Sequence, residues 1–219
     1  MVWQIESLNR RKYIPDMETL FSVKDGMIEI YKGRTVKISG NVDRRVVRDA
    51  LRQYYRFFGE KITCKVGYSD DIDSDVCGIF SDSARVILIN KTGDCDEESS
   101  ILLHELGHLK YASNFSKFRF RIPFSDLFIH TGLLYRGYID EVAACYLELA
   151  MGMFYFDPEC YDTNNGAYEA ANALLKSKID RRNVWNSLVK ARSLDQVVQK
   201  LNGNLKPEMQ KLLLDISRK

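Results

Sequence analysis

The stretch Asp94-Cys-Asp-Glu-Glu98-Ser-Ser-Ile-Leu-Leu103-His104-Glu105-Leu106-Gly107-His108 decides how the rest of the chain is read. Asp94 is followed three residues later by Glu97, the spacing of a capping box, and Asp96, Glu97 and Glu98 place negative charge at the positive end of a helix dipole. A helix is therefore predicted from here to about Tyr111. Two histidines four apart lie about 40° from each other around such a helix and one turn along it, so both imidazoles reach a single ion. Glu105 is rotated about 100° from His104, beside the ligands and not one of them, where a carboxylate takes a proton from a metal-activated water. Gly107 leaves room for another element to pack closely. With 3 His in 219 residues, this pattern arises by chance roughly 0.002 times in a chain of this composition. The alternative of two structural histidines beside a surface glutamate would consume two of the three histidines by accident.

Working outward, Ile62–Val66, Gly78–Phe80 and Ala84–Asn90 read as strands, the last β-branched and apolar. Met27–Tyr31 and Thr35–Ile38 alternate around Lys32-Gly33-Arg34 as a hairpin. From Asp43, Val47, Leu51, Tyr54, Tyr55 and Phe58 recur at helical spacing up to Gly59. The opposite face carries Arg44, Arg48, Arg52 and Arg56, which read first as a solvated stripe and second as a phosphate grip. A further helix is expected over about Leu134 to Phe154, and three more from about Ala167 to Ile216, broken near Asp180 and at Asn202-Gly-Asn204. The sequence thus predicts an α+β fold with a small, twisted, mostly antiparallel sheet, a site-bearing helix and a helical C-terminal appendage.

Composition narrows the class. With 45% hydrophobic and 28% charged residues and only 4 Pro, the chain is an ordinary globular protein. The N-terminus lacks the features of a secretory signal, and the most apolar run, Val142–Phe156, is shorter than the ~20 residues of a membrane span. A cytoplasmic protein with no membrane partner is expected. Five cysteines, odd in number and without a C-x-x-C pair, read as reduced thiols. The net charge of +2 divides into +4 over residues 1–60, −9 over 61–175 and +7 over 176–219. The basic C-terminal part either packs near the acidic middle or meets a nucleic acid or acidic partner.

A catalytic zinc needs a third protein ligand and an open position. Asn114 stands where the long metzincin signature has its third histidine, which excludes that class. Glu141, 33 residues beyond His108 and followed by small Ala143 and Ala144 that let two helices approach, is the favoured ligand. Asp140, His130 and Glu148 remain open as alternatives. Glu148, two turns beyond Glu141, could instead orient a ligand histidine from behind. Between the two helices, Phe115 to Phe124 alternates aromatic and basic residues, as a two-faced strand or loop, or as a cleft wall or stacking strip. Tyr135 and Tyr138 are candidate oxyanion donors, although a buried, satisfied hydroxyl is the plainer account.

His104-Glu-Leu-Gly-His108, the strand Ala84–Asn90 and Asp140-Glu141-Val-Ala-Ala144 resemble the gluzincin metallopeptidases, in particular the short ImmA/IrrE-type proteins and minimal gluzincins. The resemblance covers about residues 43–155. It implies a zincin-like fold with Zn2+ on His104, His108 and Glu141, Glu105 as general base and acid, and strand Ala84–Asn90 as the edge that pairs with an extended peptide. On this reading residues 1–42 form an N-terminal hairpin segment, 43–160 the metallopeptidase domain and 161–219 a helical subdomain. The implied activity is zinc-dependent endopeptidase hydrolysis of an intracellular protein. Two departures are the long spacing to Glu141 and Cys145, where other gluzincins often carry Asp. The rival reading is a regulatory or nucleic-acid- or protein-binding protein whose zincin site is structural or vestigial.

Overall fold

A computed structural model of the chain describes residues 20–22, 26–31, 34–70, 77–81, 86–116, 126–153 and 165–217. The architecture is α+β. Strands β1 (Leu20–Ser22), β4 (Cys64–Tyr68), β6 (Val86–Ile89) and β5 (Gly78–Ser81) form one sheet in that order, and β2 (Gly26–Tyr31) pairs with β3 (Arg34–Ile38) as a separate antiparallel ribbon. The main sheet is mixed. β1 and β4 are parallel, β4 and β6 are parallel, and only β5 runs antiparallel to β6. This corrects the expectation of a mostly antiparallel sheet. Short strands with turn signals between them suggested hairpins, but parallel neighbours require long crossovers. Here the crossover from β1 to β4 contains α1 (Arg44–Phe58), and β5 occupies the far side of β6, leaving the place beside β4 to β6.

Helix α1 begins where Asp43 accepts a hydrogen bond from the Arg45 amide and ends at Gly59, whose φ of 71° is the left-handed cap geometry. Its apolar face, Val46, Val47, Ala50, Leu51, Tyr54 and Phe57, is buried. The arginines of the other face are exposed, and Arg45, Arg48 and Arg52 all contact Asp49.

Helix α2 (Cys95–Ser116) runs about a turn beyond its expected end, and α3 spans Asp126–Met151, starting earlier than the sequence indicated. Among the described residues four helices follow: α4 (Asn165–Lys176), α5 (Arg181–Val189), α6 (Leu194–Lys200) and α7 (Pro207–Ile216). The reading of three missed the break at residues 190–193, where Ser193 caps a new helix through the Gln196 amide. α2 packs on α1, α3, β5 and β6; α3 packs on α4 and α5; α7 closes against α4 and α6. The buried apolar residues form one cluster from Val42 to Ile216, so α4–α7 share the core of the site-bearing helices. Among the described residues no helix is long and apolar enough to cross a membrane.

Cys64, Cys95 and Cys145 form no disulfide, whereas Cys77 is disulfide-bonded to a partner outside the described residues. The expectation that all five thiols are reduced is thereby corrected; spacing along a chain does not reveal which cysteines folding brings together. The aromatic-basic segment lies mostly outside the described residues, and Cys160 lies outside them entirely.

Candidate metal centre

The N-terminal end of α2 is locked before the site begins. Asp94 Oδ1 accepts from the amides of Asp96 at 2.8 Å and Glu97 at 3.3 Å. The carboxylate that reaches back to the preceding loop is Glu98 and not Glu97: its Oε1 accepts from the Thr92 and Gly93 amides at 3.0 and 2.9 Å, and its Oε2 accepts from the Tyr68 hydroxyl. Satisfied by three donors, this carboxylate is buried and ties β4 and the β6–α2 loop to the helix.

One and a half turns along, His104 and His108 present their Nε2 atoms to each other at 3.1 Å. Glu141 on α3 completes a triangle of residues, one oxygen to each ring: Oε1 lies 3.2 Å from His104 Nε2 and Oε2 lies 3.4 Å from His108 Nε2. The helices meet this closely because Gly107 on α2 has no side chain and Ala144 on α3 only a methyl group. A Cβ on Gly107 would lie 2.9 Å from Ala144 Cα and 3.2 Å from its Cβ.

Behind each imidazole stands a second carboxylate. His104 Nδ1 lies 3.3 Å from Glu148 Oε2, and His108 Nδ1 lies 2.9 Å from Asp140 Oδ1. Glu148 is held in turn by the Ser100 hydroxyl, which donates to its Oε1 one turn before His104. In a neutral ring a carboxylate beside Nδ1 favours the proton there and leaves the Nε2 lone pair for a ligand. Both Nε2 atoms face the Glu141 carboxylate.

Ligands about 2.0–2.1 Å from a tetrahedral ion stand about 3.3 Å from one another; here the two Nε2 atoms are 3.1 Å apart, and each lies close to a different oxygen of Glu141, at 3.2 and 3.4 Å. Without an ion, the cluster is held by charge. Burial pulls the pKa of His104 down, but the Glu141 charge, together with hydrogen bonding to Cys145, Glu141 and Glu148, holds it well above 6.5. For His108 burial is likewise outweighed, first by the Asp140 charge and then by hydrogen bonding to Asp140 and Glu141. Burial pushes Glu141 up, and the two imidazoles overcome this and hold it well below 4.5.

Glu105 lies next to the triangle. Its pKa is raised above 4.5, principally by burial, against the lowering influence of His108 and His104. The residue is 5% exposed and covered by β5, where a Cβ on Gly78 would come within 2.9 Å of both Glu105 Cγ and Oε1. The His108 and Glu141 side chains are 16% and 19% exposed.

Of the residues singled out by sequence, His104, Glu105, His108 and Glu141 are brought together. Asp140 and Glu148 stand behind the histidines. His130 lies eleven residues before Glu141 on the same helix, about 16 Å away along its axis, beyond the reach of a shared ion. The Tyr138 hydroxyl is buried against Gly166, without a hydrogen-bond partner, and Tyr135 belongs to the part of α3 whose side chains are not described. Strand β6 is not an edge, being flanked by β4 and β5; the strand that lies over Glu105 is β5. Ser100 and Gly78 were missed, since neither residue type carries a signal until its neighbours are known.

No family model, curated protein or solved structure matches the chain, so the likeness to gluzincins rests on these residues alone.

Proposed function

We propose that the chain is a zinc-dependent endopeptidase that hydrolyses peptide bonds of a protein substrate, with His104, His108 and Glu141 as metal ligands and Glu105 as general base and acid. The observation that carries this reading is that His104 and His108 bring their Nε2 atoms to 3.1 Å and each faces an oxygen of Glu141, at 3.2 and 3.4 Å, with an unligated carboxylate beside them. Zn2+ in such a site supplies the positive charge that activates a water and polarises a carbonyl.

The chain's own groups supply the rest. Glu105, buried and with raised proton affinity, accepts a proton from the attacking water and returns it to the leaving amine. Glu148 and Asp140 fix the tautomers and orientations of the ligand histidines. β5 supports an extended peptide beside Glu105: among the described residues its ladder is with β6 alone, and an unpaired edge takes up a strand through main-chain hydrogen bonds. β2 approaches β5 without pairing to it.

The test is hydrolysis of a denatured, fluorophore-labelled protein by the zinc-loaded chain. Glu105→Gln should abolish cleavage while zinc stays bound, and His104→Ala should lose both. A regulatory or nucleic-acid-binding protein with a vestigial site would cleave nothing, and Glu105→Gln would leave its binding unchanged. No observation favours that alternative specifically, because Asp49 and Asp96 already contact arginines of the α1 face.

A further inference from the structure

One covalent bond plays no part in the proposed chemistry, yet it ends within two residues of the proposed base's nearest cover. Cys77 is disulfide-bonded, whereas Cys64, Cys95 and Cys145 form no disulfide. A chain of 219 residues buries enough surface to fold without a staple, and domains that rely on staples carry several. What distinguishes this bridge is its place. The Cys77 carbonyl accepts from the Asn90 amide at 2.9 Å, which carries the β5–β6 ladder one step beyond the Gly78–Ile89 pair. Gly78, the next residue, is where a Cβ would come within 2.9 Å of Glu105 Cγ and Oε1. About 3.8 Å of backbone therefore separates the anchored residue from the strand's contact with Glu105.

Little else holds β5 there. The strand has four residues, is half-buried over 77–80, and among the described residues its ladder is with β6 alone. So short an edge strand opens locally at low cost, and a cross-link beside it removes much of the freedom that the open state gains.

We propose that the Cys77 disulfide is a redox-sensitive clamp: oxidised, it fixes β5 against Glu105 and the hydrolase is active; reduced, it releases β5 and Glu105 loses its position. This rests on the reading of Glu105 as general base. Cys77 acts through Gly78 and is a positioning residue. In the reducing step an external dithiol attacks the S–S bond, passes through a mixed disulfide and leaves as its own disulfide, and its two protons end on the two freed thiols. The metal ligands on α2 and α3 take no part.

The zinc-loaded full-length chain, assayed before and after reduction by a water-soluble phosphine, tests the clamp. The phosphine takes the oxygen of one water, becomes the phosphine oxide and leaves two thiols, so no added thiol competes for zinc. Reduction should lower kcat by ~10²-fold, the cost of a misplacement of about 1 Å, with zinc content unchanged. Amide exchange in the peptide covering β5 should quicken, and reoxidation by oxidised glutathione should restore both. Cys77→Ser and Cys77→Ala should match the reduced wild type and ignore the phosphine, while Cys95→Ala should respond as the wild type does. Equal kcat in the two forms, or faster hydrolysis after reduction, overturns the clamp, as does a Cys77 variant that still responds. Loss of zinc along with activity also overturns it, because the bridge then supports the whole centre and not β5. If neither form cleaves, the hydrolase reading fails, and exchange decides the clamp: quicker exchange on reduction sustains it and unchanged exchange overturns it. Reduction of the wild type needs no substitution, so the result stands even where a Cys77 variant folds poorly.

Discussion

Gly78 on β5 lies against Glu105 on α2 so closely that a Cβ at position 78 would meet Glu105 Cγ and Oε1 at 2.9 Å and Ile101 Cγ2 at 3.0 Å. The strand and the proposed base are thus fitted to each other through the absence of a side chain. Gly78→Ala should push the Glu105 carboxylate away from the metal centre. A misplacement of about 1 Å costs ~10²-fold in rate, so kcat/KM should fall by that order while zinc content stays at wild-type level. Steady-state kinetics beside metal analysis checks both halves, and an unchanged rate would show that Glu105 is not positioned by β5.

Gly107 plays the corresponding part between helices. A methyl group here meets the Ala144 backbone, which cannot swing away as a long side chain can. Gly107→Ala should cost about 1–3 kcal/mol of stability through overpacking and should also weaken zinc, because the two histidines and Glu141 sit on opposite sides of that contact. Urea unfolding and zinc titration report the two effects separately.

Glu148 and Asp140 are expected to act through the histidines. Glu148→Gln and Asp140→Asn should each weaken zinc binding by about 10–100-fold, measured by competition with a chromophoric chelator. Glu141→Ala should abolish high-affinity binding altogether. Equal effects from all three would contradict the division between ligand and supporting carboxylates.

The metal-free protein should show a distinctive pH dependence. His104 and His108 have folded-state pKa values raised above 6.5, so their stabilisation is complete below that value and is lost as pH rises through the folded values. Glu141 is lowered below 4.5, so its contribution is present above 4.5 and is lost as pH falls through its folded value. Raised Glu105 favours its neutral form and adds a cost as pH climbs past 4.5. Chelator-treated protein should therefore unfold at higher urea near about pH 5.5 than near about pH 8. Zinc should reverse the order, because metal replaces the protons. The His104→Ala/His108→Ala variant should lose most of the difference.

Glu98 should matter for stability and not for catalysis. Its oxygens accept from two loop amides and a buried tyrosine hydroxyl, and Glu98→Ala leaves those donors unsatisfied, at about 1–3 kcal/mol for each that water cannot reach. Thermal unfolding should shift downwards while Glu105-dependent hydrolysis at low temperature persists.

Periodicity and capping chemistry made α1 legible to within a residue at both ends, because Asp43 and Gly59 act on their own immediate neighbours. The hairpin of β2 and β3 was legible for the same reason. The parallel pairing in the main sheet and the central place of β6 were not, since strand order depends on long crossovers that no local pattern records.

The same division runs through the candidate site. The placing of His104, Glu105 and His108 on one helix follows from 3.6 residues per turn and needs no tertiary information. Which carboxylate closes the triangle, which two stand behind the imidazoles, and that Ser100, Gly78 and Cys145 belong beside them were decided only when α3 crossed α2 at Gly107 and β5 came to rest over Glu105. Spacing along a helix is a covalent fact written in the chain, whereas the convergence of residues forty positions apart is set by the burial of the core around them.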